Sequence, residues 1–161
     1  MNVPLKDSGT DGSSADARSL RRSTVLPAAP AEVWAAIGAF GGLTDWHPLV
    51  PPTSIEGGAD PEVPGAVRAF AVDGHVVARE RLLDRDPEAR SYRYTLLDPV
   101  PLPVAEYVAT LAVHPHPEGA EVVWSAAYRS TGEAAAQVES LFGDGTYGAG
   151  LAALRTRFAR G

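Results

Sequence analysis

Two hydrophobic periods divide the chain. From Gly65 to Ser130 it reads as a succession of strands, and from Gly132 to Arg160 it reads as one long helix. In the helical stretch Tyr147, Leu151, Leu154 and Phe158 recur on one face, and Arg155, Arg157 and Arg160 sit near the C-terminus, where cations suit the helix dipole. Gly143, Gly145, Gly148 and Gly150 interrupt it, each costing a helix interior roughly 1 kcal/mol relative to alanine. Either the helix is one wall of a cavity, with Tyr147 reaching inside, or it is a kinked helix whose glycines pack tightly on a sheet.

Earlier in the chain, Ser23 to Pro27 reads as a short strand, and Pro30, Val33, Trp34 and Ile37 as a short helix ended by Gly38. Gly41-Gly42 precedes a second short helix, Leu43 to Trp46, which His47-Pro48 terminates. Residues 1–17 are rich in Ser, Gly and Asp, so a disordered leader is expected, with order from Arg18 and one domain over residues 18–161.

Charge sets the strand pairing. A two-residue turn at Asp73-Gly74 would oppose Arg68 to Arg79. A three-residue turn, Asp73-Gly74-His75, pairs Val72 with Val76, Phe70 with Ala78 and Arg68 with Glu80, and is preferred. In the next hairpin, setting Asp84 against Arg90 pairs Leu82 with Tyr92 and Glu80 with Tyr94. Phe70, Val72, Glu80, Leu82, Tyr92 and Tyr94 then share a face. Two further strands, Val104 to Val113 and Glu121 to Ser130, pair His114 with Glu121, Leu111 with Trp124 and Tyr107 with Tyr128. The order is strand, two short helices, about six strands in a meander, then the long helix, an α+β arrangement. The loops Asp73–His75 and Asp98–Pro103 fall at one rim and are expected to form the entrance to any cavity.

Composition narrows the function. The 161 residues carry a net charge of −6 and no cysteine, which excludes thiolate chemistry and disulfides and argues against a nucleic-acid surface. The four histidines show no metal-ligand spacing, so no metal or cofactor is implied. No apolar run reaches membrane-spanning length, and a cytoplasmic protein without membrane insertion is expected.

Leu26–Trp34, Phe40–Leu43, Trp46–Pro48, Pro64–Arg68, Glu80–Leu82 and Tyr147–Leu154 together resemble the bacterial polyketide cyclase/dehydrase-like branch of the START and birch-pollen-allergen superfamily, SRPBCC. The resemblance implies a helix-grip fold: a curved seven-stranded antiparallel sheet gripping the C-terminal helix, two short helices after the first strand, and a ligand cavity between sheet and helix. It implies a small hydrophobic or aromatic ligand, handled either by a cofactor-independent cyclase, aromatase or dehydratase or by a non-catalytic carrier or sensor. In the plant abscisic-acid receptors, which look like distant relatives, a ligand-facing carboxylate corresponds to Glu80 and a carboxylate-binding lysine to His47; the change of residue type at His47 leaves that hormone role behind.

The candidate proton-transfer residues are His47 and Glu80. Glu80 has an alternative as the partner of Arg68 in a buried ion pair, and His47 as a helix-end cap. Trp46, Arg68, Phe70, Tyr92, Tyr94, Tyr107, Trp124 and Tyr147 are the candidate ligand-binding residues. Tyr94 and Tyr107 either orient a substrate carbonyl or phenol or serve as amphipathic core.

Overall fold

The computed structural model describes residues 15–159. Most of the expected leader, residues 1–14, lies outside them. Order begins earlier than Arg18, because β1 runs from Asp16 to Leu26 and pairs along its whole length with the last strand. Then come α1 (Pro30–Ile37), a 3₁₀ turn (Phe40–Gly42) and α2 (Leu43–Trp46). The remaining strands are β2 (Thr53–Ile55), β3 (Val67–Val72), β4 (His75–Asp86), β5 (Ser91–Leu97), β6 (Ala105–His116) and β7 (Gly119–Ser130). The strand β2 has no counterpart among the sequence expectations; three residues are too few for a period to show. All neighbours are antiparallel, in the order β1-β7-β6-β5-β4-β3-β2.

A continuous helical stretch closes the chain. It comprises α3 (Gly132–Val138), a π-helical segment (Glu139–Gly148) and α4 (Ala149–Arg157). Thr131 starts it by accepting a hydrogen bond from the Ala134 amide at 3.1 Å, an N-cap that satisfies one orphan donor. Along β7 the side chains of Ala120, Val122, Trp124, Ala126 and Tyr128 are buried in strict alternation, so one face of the sheet meets the helices. Leu26, Val33, Phe40, Val113, Val122 and Leu154 join that core.

Three β-bulges bend the sheet around the helix. The first corrects the hairpin between β3 and β4. Its turn has two residues, Asp73 (φ 52°) and Gly74 (φ 79°), with Val72 opposite His75, and not three. An extra residue, Val77, then shifts the register, so Phe70 faces Ala78 and Arg68 faces Glu80 as expected. Positive φ at both turn residues matches the strand twist, and the bulge removes the Arg68–Arg79 repulsion that a regular two-residue hairpin would carry.

The β4–β5 hairpin departs further. Asp86 accepts hydrogen bonds from the amides of Glu88 (3.0 Å) and Ala89 (3.1 Å), so the turn is Pro87–Arg90 and the strands extend to an Asp86–Ser91 pair. With Leu83 bulged, Leu82 pairs with Tyr94, Glu80 with Leu96 and Arg85 with Tyr92, in place of the expected Leu82–Tyr92 and Glu80–Tyr94. Val72, 46% exposed, leaves the shared face. The third bulge sets Glu106 (φ 54°) and Tyr107 against Tyr128, so Tyr107 is not a regular partner of Tyr128 although their rings lie 6.4 Å apart. The pairs His114–Glu121 and Leu111–Trp124 form as expected.

Candidate functional site

Between the sheet and the helical stretch lies a cavity of about 290 Å³. Phe70 of β3, Glu80 of β4, Tyr94 of β5, Tyr107 of β6 and Trp124 of β7 line it from the sheet. The π segment supplies Leu141, Phe142, Thr146 and Tyr147, residues that recur at a spacing of five, as i→i+5 winding requires. Val77, Pro101 and Leu141 line it while remaining exposed, which marks the mouth. The loop Asp98–Pro103 thus reaches the cavity through Pro101 and Leu102. Asp73–His75 does not; the two-residue turn carries the hairpin tip past it and leaves Val77 and Ala78 in its place.

At one end of the cavity stands a buried charge pair. Arg68 is fully buried and donates from Nε to Glu80 Oε1 at 2.8 Å, and from Nη1 to the Phe40 carbonyl at 2.8 Å and the Tyr92 hydroxyl at 3.2 Å. Its Nη2 lies 2.8 Å from Glu80 Oε1 without the alignment of a hydrogen bond. Aromatic rings enclose the guanidinium, Phe40 at 4.1 Å and Tyr94 at 4.7 Å from ring centroid to carbon. Arg68 and Tyr92 therefore do not line the cavity; they fix Glu80 from behind. The Glu80 side chain keeps 15% of its surface accessible and lines the cavity. Burial raises its pKa, and the charge and hydrogen bond of Arg68 pull it back only in part. For Arg68, burial opposes the charge, but Tyr92, Glu80 and Tyr94 together hold its pKa above the ordinary value.

Three phenols gather beside Glu80. Trp124 Nε1 donates to the Tyr94 hydroxyl at 3.0 Å, and the Tyr107 and Tyr147 hydroxyls are hydrogen-bonded to each other. Trp124 stacks on Tyr147 with centroids 4.5 Å apart and planes 7° from parallel. Burial, reinforced by neighbouring phenols and by Glu80, raises all three tyrosine pKa values well above 10, so these groups remain neutral donors.

His47 stands elsewhere. Its Nδ1 accepts from the Leu49 amide at 3.1 Å and its Nε2 donates to the Thr146 carbonyl at 2.6 Å, which fixes the neutral tautomer. Burial lowers its pKa, with the Thr146 bond opposing. It does not line the cavity, so the structure does not bring His47 and Glu80 to one space. Trp46 packs beside it, 5.6 Å from Trp124, and is likewise outside the lining. The reason is Gly150: a Cβ there would lie 2.7 Å from His47 Cδ2 and 3.1 Å from both Trp46 and Trp124, so helix, histidine and indoles pack without a gap. Gly143 also serves packing, since a Cβ there would lie 2.5 Å from Arg22 Nη2 and 3.0 Å from Leu20, whereas a Cβ at Gly145 would meet only the Ser140 carbonyl at 3.4 Å.

Leu43, Val50, Pro51, Leu96 and Phe142 line the cavity without having been singled out in the sequence. For Phe142 a signal existed: it stands five residues before Tyr147, a spacing that α-helical periodicity discards.

Residues 17–159 match the family described as polyketide cyclase / dehydrase and lipid transport. The chain belongs to this family. It is a ligand-binding domain of the SRPBCC superfamily, and the curved sheet closing on the C-terminal helix is the helix-grip fold of that group. A solution NMR structure of a Thermobifida fusca protein is 39% identical, with a TM-score of 0.81 over 88% of this chain and 93% of that one. The protein XoxI from Bacillus cereus is 29% identical, with a TM-score of 0.70 over 89% and 94%. Norcoclaurine synthase from Thalictrum flavum, solved in complex with dopamine and hydroxybenzaldehyde, is 20% identical, with a TM-score of 0.69 over 98% and 95%, and shares the fold. No curated protein matches the chain. Among the described residues no helix is long and apolar enough to cross a membrane.

Proposed function

We propose that the cavity binds a small aromatic or polyketide-like molecule and that the protein is a cofactor-independent cyclase or dehydratase in which Glu80 moves the proton. The observation that carries this reading is the carboxylate of Glu80, tied to Arg68 through Oε1, with a raised pKa and no hydrogen bond from the described residues to Oε2. A carboxyl group with one oxygen free toward the cavity is placed to act as acid or base. Walls of Phe70, Phe142, Leu96 and Trp124 would hold a flexible substrate in one folded shape, which turns ring closure into an oriented intramolecular step. Of His47 and Glu80, His47 is packed onto backbone groups outside the cavity, so the proton-transfer role falls to Glu80.

The carrier reading has two observations in its favour: Arg68 is already bonded to Glu80, and both His47 nitrogens are engaged. Native mass spectrometry of the purified protein identifies a co-purified molecule, and that molecule and its chemical relatives are the substrates to assay. Glu80→Gln should lower turnover by about 100-fold or more with affinity retained. Unchanged turnover would remove Glu80 from the chemistry; no turnover with any candidate, with weaker binding in Glu80→Gln, would establish the carrier.

A further inference from the structure

We propose that the hydroxyl cluster of Tyr94, Tyr107 and Tyr147 is the receiving site for a carbonyl oxygen of the ligand, so that the cavity selects aromatic ketones over hydrocarbons of the same shape. This rests on reading the cavity as the ligand site. The polarity of the cluster is set at one end. An indole N–H only donates, so the 3.0 Å bond from Trp124 Nε1 makes the Tyr94 oxygen an acceptor and sends the Tyr94 proton onward. Tyr107 and Tyr147 are bonded to each other, so one of the two donates and the other keeps its proton. Among the described residues no hydrogen bond takes that proton or the Tyr94 proton, and all three phenols line the cavity. A hydroxyl that accepts a bond is polarised by it, so each of these two protons is a strengthened donor.

The rest of the lining leaves this role to the phenols. Phe70, Phe142 and Leu96 carry no polar group, and the Thr146 hydroxyl is committed to the Leu141 carbonyl at 3.2 Å. Glu80 offers an acceptor oxygen, and the cation beside it, Arg68, is already bonded to it and does not line the cavity. A ligand carboxylate would find no cation to pair with there, whereas a neutral carbonyl oxygen would be received by the phenols. The high pKa values of the three tyrosines keep them protonated throughout the working range.

The test uses the whole protein and three probes, 2-acetylnaphthalene, 2-ethylnaphthalene and 2-naphthoate, with affinities from calorimetry and the carbonyl stretch of the bound ketone from infrared difference spectra. The ketone should bind about tenfold more tightly than the hydrocarbon and more tightly than the acid at neutral pH. Its stretch should lie below the value in cyclohexane. Tyr94→Phe, Tyr107→Phe and Tyr147→Phe should erode the preference and the shift while 2-ethylnaphthalene still binds, which also certifies that each variant is folded. Equal affinities with an unshifted carbonyl, or naphthoate binding best, would overturn the carbonyl site and leave the cavity reading intact. Binding of none of the probes would overturn both. The wild-type spectrum decides the matter even where a variant fails to fold.

Discussion

Strand β4 carries two arginine–carboxylate pairs formed across neighbouring strands, Arg68–Glu80 on the cavity side and Arg93–Asp84 on the outside. By geometry the outer pair is the better bonded. Arg93 reaches Asp84 through Nε at 3.1 and 3.0 Å and through Nη2 at 2.5 Å, whereas Arg68 has one aligned bond to Glu80. By environment the order reverses. The outer side chains are 49% and 52% exposed and the inner ones 0% and 15%. In water, ions that lose each other are solvated again, so the outer pair contributes little. Inside, the loss of one partner strands a charge in a medium that cannot solvate it. The count of hydrogen bonds is thus a poor guide to which pair matters.

The largest effect should come from Arg68→Ala, which leaves Glu80 uncompensated and removes the donor to the Phe40 carbonyl and Tyr92; a loss of about 3–5 kcal/mol is expected in denaturant unfolding. Arg68→Met combined with Glu80→Leu sharpens the point, since it should recover most of that loss if the arginine acts by neutralising the carboxylate. Gly150→Ala presses on the interior from the helix, where a Cβ would meet His47, Trp46 and Trp124. It should cost about 2 kcal/mol, overpacking outweighing the gain in helix propensity.

The third test titrates the interior. His47 has a folded-state pKa below its ordinary 6.5, so its contribution is complete above 6.5 and is lost as pH falls through the lowered value. One proton sets the steepest slope, about 1.4 kcal/mol per pH unit, and His47→Gln should flatten it. Glu80 runs the other way. Its raised pKa makes its contribution complete below the ordinary 4.5 and lost as pH rises through the raised value, which Glu80→Gln should abolish. Last and smallest, Arg93→Ala should change stability by less than about 1 kcal/mol. Equal losses for Arg93→Ala and Arg68→Ala would break the comparison.

How much of this was legible in the sequence follows from the range of each signal. Opposite charges in a hairpin act across one pair of strands, so Arg68–Glu80 could be found by elimination, but the same argument set Asp84 against Arg90 where the structure has Arg93. The bulges at Val77 and Leu83 could not, because an extra residue is tolerated where the whole sheet must bend, and alternation within one strand does not report that. The same limit applied to the helix. An α period groups Tyr147 with Leu151 and Leu154, and only the π winding brings Phe142 onto the side of Tyr147. Glu80, Phe70, Tyr94, Tyr107, Trp124 and Tyr147 were recoverable as cavity residues because they are rare polar or ring-bearing positions on inward faces, but the same signal also picked Trp46 and Tyr92, which pack outside the lining. His47 was drawn in by its chemistry and by its place beside Trp46, while its packing depends on Gly150, far along the chain.

The strand order has a consequence for biosynthesis. Strands β2 to β7 each pair with the strand before or after them, but β1 pairs with β7 alone. The first strand to leave the ribosome therefore waits for the last one to be made, with its edge unmatched and Leu20, Thr24 and Leu26 without their final cover. Pairing β1 with β7 closes the longest loop of any strand pair in the sheet and should be the slow step. Until it occurs, the long strand β7 is itself an edge and the inner face of β1 is uncovered, the state in which this protein is most exposed to aggregation or to a holding chaperone.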